Sequence, residues 1–208
     1  MGKIEQVKQA IEKAKLRQSK LTAEALMVPS MTSINIRHLL NNLGGISKYY
    51  LECGSHKGGH FCSVLFENQV KDALAIDNYS EFYKDGETKE EFLANGRKFI
   101  PDATRWYLIE QDCFTVKDLW IGFDLFNYDA QHTESSQQRA ITYFAKNMAD
   151  EFILFVDDWT FNGVETGTRN GIKLAGLTTL YEEVLLTNEG QEPNEGWHNG
   201  IFVAVLKK

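Results

Sequence analysis

The 208-residue sequence lacks any long apolar run. Its two longest, Phe152–Val156 and Ile201–Leu206, fall far short of the roughly 20 residues a membrane-spanning helix needs. The N-terminus carries no apolar signal core, and Gln6 stands where a myristoylation motif takes Ser or Thr. Cysteine is scarce: Cys53, Cys62 and Cys113 form no Cys-x-x-Cys pair and leave one thiol over, so no disulfide framework is implied. Positive charge is short as well, with 22 Lys and Arg against 29 Asp and Glu and a net charge of −7. Such a field repels nucleic acid and anionic lipid, which excludes both as expected partners. Asn78-Tyr79-Ser80 matches a glycosylation acceptor, but no secretion signal accompanies it. These absences predict a reduced, cytoplasmic protein. They leave a homo-oligomer open.

What is present is an ordinary globular composition, 43% hydrophobic and 25% charged, which excludes disordered and coiled-coil classes. The length favours one domain, large enough to bury roughly 70% of its unfolded surface. Ile4, Val7, Ile11 and Ala14 recur at helical spacing within residues 3–18, and a second helix is expected from Ile34 to Leu43, stopped by Gly44-Gly45. Residues 1–45 are thus expected as N-terminal helices packed on a core formed by 46–208. Within that core short β-type runs recur at Tyr49–Cys53, Ala73–Asp77, Trp106–Glu110, Phe123–Asp129 and Phe152–Asp157. Helix-length stretches separate them, at Gly59–Val70, Glu87–Phe99 and Ser135–Met148. That alternation predicts βαβ units and a parallel sheet covered on both faces. The last two runs, Leu180–Thr187 and Ile201–Leu206, are joined by a polar, turn-rich segment, which suits an antiparallel pair.

The chemistry concentrates at predicted strand ends. Leu51-Glu52-Cys53-Gly54-Ser55-His56-Lys57-Gly58-Gly59 is a Gly-rich turn from strand to helix, of the kind that lets backbone amides approach a ligand. It is no P-loop, because His60 and Phe61 follow Gly59 where Lys and Ser/Thr are needed. It is no Gly-x-Gly-x-x-Gly dinucleotide turn, because position 56 is His. What remains, Glu-x-Gly-x-x-x-Gly on Glu52, Gly54 and Gly58, resembles the first motif of class I S-adenosylmethionine-dependent methyltransferases. Asp77 ends the next strand 25 residues after Glu52, where a carboxylate can accept ribose hydroxyls. The resemblance implies the seven-stranded Rossmann-like α/β sheet of those enzymes, mostly parallel with an antiparallel last strand and helices on both faces. It further implies that S-adenosylmethionine binds against Glu52, Gly54, Ser55, His56, Gly58, Asp77, Asn78, Asp112 and Cys113, with Glu52 toward the methionine end, Asp77 on the ribose and Asp112 near the adenine.

Asp129-Ala130-Gln131-His132-Thr133-Glu134-Ser135-Ser136 follows the fourth strand, and Val156-Asp157-Asp158-Trp159 ends the fifth. Carboxylates gathered at neighbouring strand ends repel one another unless a cation or a proton compensates. Asp129, Asp157 and Asp158 would suit a hard cation such as Mg²⁺; the competing reading has Asp157 and Asp158 capping a helix. These two segments resemble the macrocin and aminocoumarin-sugar O-methyltransferases, with Ser136 and Trp159 replacing that group's Thr and Tyr. Asp129 with His132 equally resembles the wider methyltransferase group that carries a His after strand four. The implied activity is O-methylation of a small hydroxylated acceptor, with Asp129 and His132 catalytic and His132 as general base. A cofactor-binding scaffold without turnover and a nicotinamide-dependent oxidoreductase are the alternatives. The likeness spans Ile34 to Leu206 and departs at Glu81–Ile100 and at an expected loop, Thr160–Arg169, so the acceptor's identity does not carry over. Trp159 and Phe161 either wall the acceptor pocket or pack beneath a loop. His198, with Trp197 and Asn199, is expected to be structural, and Arg139 to be solvated.

Overall fold

Apolar spacing and capping side chains set the N-terminal helices. The computed structural model describes residues 2–80, 87–120, 122–190 and 192–208. Helix α1, Lys3–Lys15, buries Val7, Ala10, Ile11 and Ala14, one stripe at three- and four-residue steps. The short α2, Ala23–Leu26, is capped by the Thr22 hydroxyl, which accepts from the Ala25 amide at 3.2 Å. Helix α3, Ile34–Gly44, starts at Ser33 and is buried on nearly every side. No described helix is long and apolar enough to cross a membrane.

Strands and helices then alternate: β1 Tyr49–Cys53, α4 Gly59–Leu65, β2 Asp72–Ile76, α5 Glu87–Phe99, β3 Arg105–Ile109, β4 Phe123–Tyr128, α6 Glu134–Phe144, β5 Met148–Val156, α7 Val164–Leu174, β6 Thr178–Leu185 and β7 Ile201–Lys207. The strands form one seven-stranded sheet in the order β3-β2-β1-β4-β5-β7-β6. The first five run parallel, while β7 lies antiparallel between β5 and β6. The expected sheet and its antiparallel last strand are present. Alternate residues of each strand face opposite layers. Tyr50, Ala73, Leu125, Phe155 and Val203 pack with α1, α3, α4 and α5; Leu51, Leu74, Phe126, Leu154 and Phe202 pack with α6 and α7. The N-terminal helices thereby share one apolar cluster with the sheet.

Two local expectations need correction. The helix expected over Gly59–Val70 stops at Leu65, because the Asn68 side chain turns back and donates to the Val64 carbonyl at 2.8 Å and the Asn41 carbonyl at 2.7 Å. The expected loop Thr160–Arg169 contains the first half of α7. Thr166, Gly167, Thr168 and Gly171 weaken its helical signal, yet small residues are what its packing requires. A Cβ on Gly167 would lie 2.2 Å from the Glu134 carbonyl oxygen of α6. Of the departure at Glu81–Ile100, residues 81–86 lie outside the described residues, and 87–99 form the predicted helix α5.

Arg37, buried on α3, locks the segment leading out of α2. Its guanidinium donates to the carbonyls of Val28 at 3.1 Å and Ala25 at 3.0 Å, and to the Ser63 hydroxyl on α4. Burial pulls its pKa down to about 10, still charged at neutral pH. Replacing Arg37 with Met would orphan the buried Val28 carbonyl and leave the Ala25 carbonyl only the Val28 amide at 3.3 Å, so Arg37→Met is expected to cost about 2–3 kcal/mol in urea unfolding. A loss below about 0.5 kcal/mol would show that these bonds do not hold the segment.

Candidate active site at the carboxyl edge of the sheet

The strand order reverses between β1 and β4, and the turns leaving these two strands diverge there to open a crevice. Backbone bonds extend the ladder past the strand ends: the Gly54 amide donates to the Ile76 carbonyl at 2.9 Å, and the Asp129 amide to the Cys53 carbonyl at 2.8 Å. Gly54 sits at φ +87°, and a Cβ there would fall 2.0 Å from the Asp129 carbonyl oxygen. No other residue fits. Asp77, just past β2, fixes the same turn from the other side: its Oδ2 accepts from the amides of Ser55 at 2.8 Å and His56 at 2.9 Å, and its Oδ1 from the Tyr79 amide at 2.8 Å.

These turns enclose a cavity of about 450 Å³. Gly54, Ser55, His56, Asp77, Asn78, Asp112 and Cys113, all singled out from the sequence, line it together with Asp129, His132, Asp157 and Asp158. Two others do not. Glu52 lies beneath the floor, its Oε2 accepting from the Tyr50 hydroxyl and from Asn127 Nδ2 at 3.5 Å; Gly58 caps α4 behind the wall, against Phe92. Three backbone amides take three of the ~four acceptor positions of the Asp77 carboxylate, which leaves room for about one ribose hydroxyl. Ser55 lines the cavity, and its buried hydroxyl has no hydrogen-bond partner among the described residues. Asp112 is exposed at the rim, where its Oδ1 accepts from the Phe114 amide at 2.8 Å. The rim also holds Arg139, exposed as expected, with its guanidinium 4.2 Å from the Phe114 ring centre.

At the other end of the cavity four ionisable side chains from the turns just after β4 and β5 meet a fifth from α4. His132 Nε2 lies 3.2 Å from Asp129 Oδ1 and 3.3 Å from Asp158 Oδ2. His60 Nδ1 lies 3.2 Å from Asp129 Oδ2, and its Nε2 3.6 Å from Asp157 Oδ2. Asp129 therefore belongs to two acid–imidazole groups, one with His60 and Asp157, the other with His132 and Asp158, and the atoms of each lie within 4.8 Å of one another. The three carboxylates expected to share a cation are divided between these groups, and His132 stands among them. Asp158 has φ +54°, pinned by its amide on Asp157 Oδ1 at 2.9 Å and by Asn199 Nδ2 on its own Oδ1 at 2.6 Å. Asn199, read from sequence as structural, thus touches the site. Trp159 packs away from the cavity, buried and stacked on Phe202 with centroids 4.4 Å apart. Phe161 is exposed and meets the His132 ring edge-on at 5.5 Å.

His60 is the residue sequence reasoning missed. It entered only as the side chain that spoils a P-loop, although its place one step inside α4, directly behind the Gly-rich turn, aims it at the β4 end. Ser30 and Met31, supplied by the Arg37-anchored segment, also line the cavity, and nothing in their sequence surroundings marks them.

Burial of so much acid shifts the pKa values of Asp129, Asp157, His60, His132 and the neighbouring Glu52. Burial and the Asp129 charge push Asp157 up to about 7, and burial pushes Glu52 up to about 7. Burial disfavours the charged form of His60, but the hydrogen bond to Asp129 and the charges of Asp129 and Asp157 outweigh it and raise the ring to about 9. The same balance, through Asp129 and Asp158, raises His132. Burial also opposes ionisation of Asp129, yet hydrogen bonds from both imidazoles hold its carboxyl below the ordinary value.

Comparison with family models finds no match, and neither does comparison with curated proteins. Solved structures do match. The O-methyltransferase from Bacillus cereus, in complex with SAH, is 13% identical with TM-score 0.56, over 98% of this chain and 90% of that one. The O-methyltransferase TomG from Streptomyces achromogenes, in complex with SAM, is 15% identical with TM-score 0.57, over 96% and 90%. The chain has their fold. Precorrin 8w decarboxylase from Methanobacterium thermoautotrophicum aligns with TM-score 0.60 at 14% identity, over 90% and 99%, so the fold alone does not choose the reaction.

The proton balance of the cluster fixes a pH dependence. Asp157 and Glu52 hold protons in the folded protein up to about 7, above their ordinary 3.8 and 4.5, and His60 up to about 9 instead of 6.5. All three contributions have one sign: stability present at low pH is lost as pH rises, through about 7 for the carboxyls and about 9 for the imidazole. In EDTA the melting temperature is expected to fall between pH 6.5 and 9, and the Asp157→Asn variant to flatten the lower part of that fall. A melting temperature that rises across this range would contradict the clustered-acid account.

Proposed function

We propose that the chain is an S-adenosylmethionine-dependent methyltransferase that methylates an oxygen of a small hydroxylated acceptor with the help of a divalent cation. The observation that carries this reading is convergence: the Gly54 turn, the Asp77 and Asp112 strand ends and the Asp129–Asp157–Asp158 acids all line one cavity. The cavity grades from Ile76, Cys113 and Phe114 at one end to the acid–imidazole cluster at the other, which matches a cofactor with an adenine at one end and a charged, reactive sulfonium at the other. The Ser55 hydroxyl, buried and unpartnered, supplies a donor for that cofactor. Two proteins of the same fold are solved with SAH or SAM. The segments around Asp129 and Asp157 resemble those of the macrocin and aminocoumarin-sugar enzymes, and Asp129 with His132 equally resembles the wider methyltransferase group.

Methyl transfer is an in-line displacement, so the chain's main contribution is to hold acceptor oxygen and sulfonium methyl in line and dry. Asp77 orients the ribose, and Asp112 meets the adenine. An aliphatic hydroxyl must lose its proton, and His132 stands at the cavity rim to take it. The Asp129 and Asp158 carboxylates, 3.2 and 3.3 Å from its Nε2, raise the pKa of the ring and orient it. The donor set of carboxylates and imidazoles fits a divalent ion such as Mg²⁺, whose chemistry when bound is to lower the pKa of a coordinated hydroxyl.

Calorimetry with S-adenosylhomocysteine and with NAD tests the cofactor, the expected outcome being heat with the first alone. A panel of hydroxylated compounds, read by mass spectrometry for an added methyl group, tests turnover; binding without transfer to any of them would favour a scaffold. EDTA should abolish turnover and Mg²⁺ restore it. His132→Asn should lower turnover by about 10²–10⁴-fold, and Asp158→Asn should also lose turnover, both with S-adenosylhomocysteine affinity retained. Full activity in EDTA would remove the cation from the reaction.

A further inference from the structure

Among the described residues, the buried His60 Nε2 has no hydrogen-bond partner. The residue is 6% exposed, and an unsatisfied ring nitrogen at that depth is costly. Its orientation is set from the opposite side: Nδ1 lies 3.2 Å from Asp129 Oδ2. In the neutral ring that a metal takes, with Nδ1–H donated to that carboxylate, the Nε2 lone pair faces Asp157 Oδ2, 3.6 Å away. That carboxylate oxygen is itself poorly satisfied, its hydrogen bond being from the Thr32 hydroxyl at 3.4 Å. A carboxylate holding one imidazole nitrogen so that the other can bind a metal is the usual support of a metal-ligating histidine. The separation of the two free ligand atoms is close to the ~3.4 Å edge of a tetrahedron with metal–ligand bonds of ~2.1 Å.

We propose that His60 Nε2 and Asp157 Oδ2 are ligands of the site's divalent cation, with Asp129 orienting His60, and that the ion is an imidazole-binding transition metal in preference to Mg²⁺. The inner group is favoured over the outer one because His132 Nε2 is already engaged by Asp129 and Asp158, and Asp158 by Asn199. An imidazole donor shifts a site from Mg²⁺, which takes oxygen ligands and water, toward Mn²⁺, Fe²⁺, Co²⁺ and Zn²⁺. The inference rests on the functional reading above only in placing a cation among these carboxylates, and it requires neither cofactor nor methyl transfer.

Metal-free protein titrated with Co²⁺ and with Mg²⁺ tests it without turnover. Co²⁺ is expected to bind one equivalent more tightly than Mg²⁺, with visible ligand-field bands. His60→Asn should abolish the preference, while His132→Asn keeps it. Should His60→Asn fail to fold, the folded wild-type and His132→Asn proteins still decide the matter by NMR. Each should show the same hyperfine-shifted, exchangeable imidazole N–H when Co²⁺ is bound, from the Nδ1–H held by Asp129. Equal affinity for the two ions, absence of Co²⁺ binding, or a signature lost with His132 would overturn the proposal. S-adenosylhomocysteine calorimetry on the same samples separates that result from failure of the cofactor reading, because cofactor binding requires no metal ligand.

Discussion

The contact between the turn after β1 and the turn after β4 governs the rest of the site. Gly54 passes so close to the Asp129 carbonyl that the chain there has no room for a side chain, and the backbone bond from Asp129 to Cys53 keeps the two turns at that spacing. With Asp129 fixed, its carboxylate reaches α4 on one side and the turn before α6 on the other, so His60 and His132 are drawn to its two oxygens. On the far side of Gly54, the Asp77 carboxylate draws the Ser55 and His56 amides toward β2. One glycine thus divides the crevice into two halves, which the proposed function assigns to a nucleoside and to a cation with its acceptor.

The acid half is built against its own stability. Asp157 and Glu52 are almost wholly buried, and Asp129 and Asp158 are half-buried beside them. The protein compensates with two imidazoles and with protons, as the raised values of Asp157, Glu52 and His60 show. A core with no task at this edge would place apolar residues there, because replacing buried ion pairs by hydrophobic packing is often stabilising. Retained charge of this kind marks a place where a ligand's charge is to be met.

Much of this was legible in the sequence, for reasons that differ by element. The five parallel strands announce themselves as short apolar runs, four of them ending in Glu or Asp, and the polar segment before Ile201 gives away the antiparallel end of the sheet. The Gly-rich turn and Asp77 carry spacing constraints that few other arrangements share. What stayed hidden depends on contacts between distant segments. Helix α7 is masked by Gly167 and Gly171, chosen for close approach to α6 at the expense of helix propensity. His60 reads as an ordinary helix residue until α4 is docked over β4, and Asn199 as a turn residue until β7 brings it to Asp158. Glu52 differs: its motif position implies a place toward the methionine end of a cofactor, and the strand's alternation turns its side chain inward to Tyr50 and Asn127.

The central claim is that the crevice beside Gly54 binds the cofactor and that this glycine makes it possible. Backbone amide NMR of the protein titrated with S-adenosylhomocysteine addresses it directly. The account predicts shifts concentrated at Gly54, Ser55, His56, Asp77 and Asp112, and none in a folded Gly54→Ala variant. Shifts centred elsewhere, or undiminished binding by that variant, would contradict it.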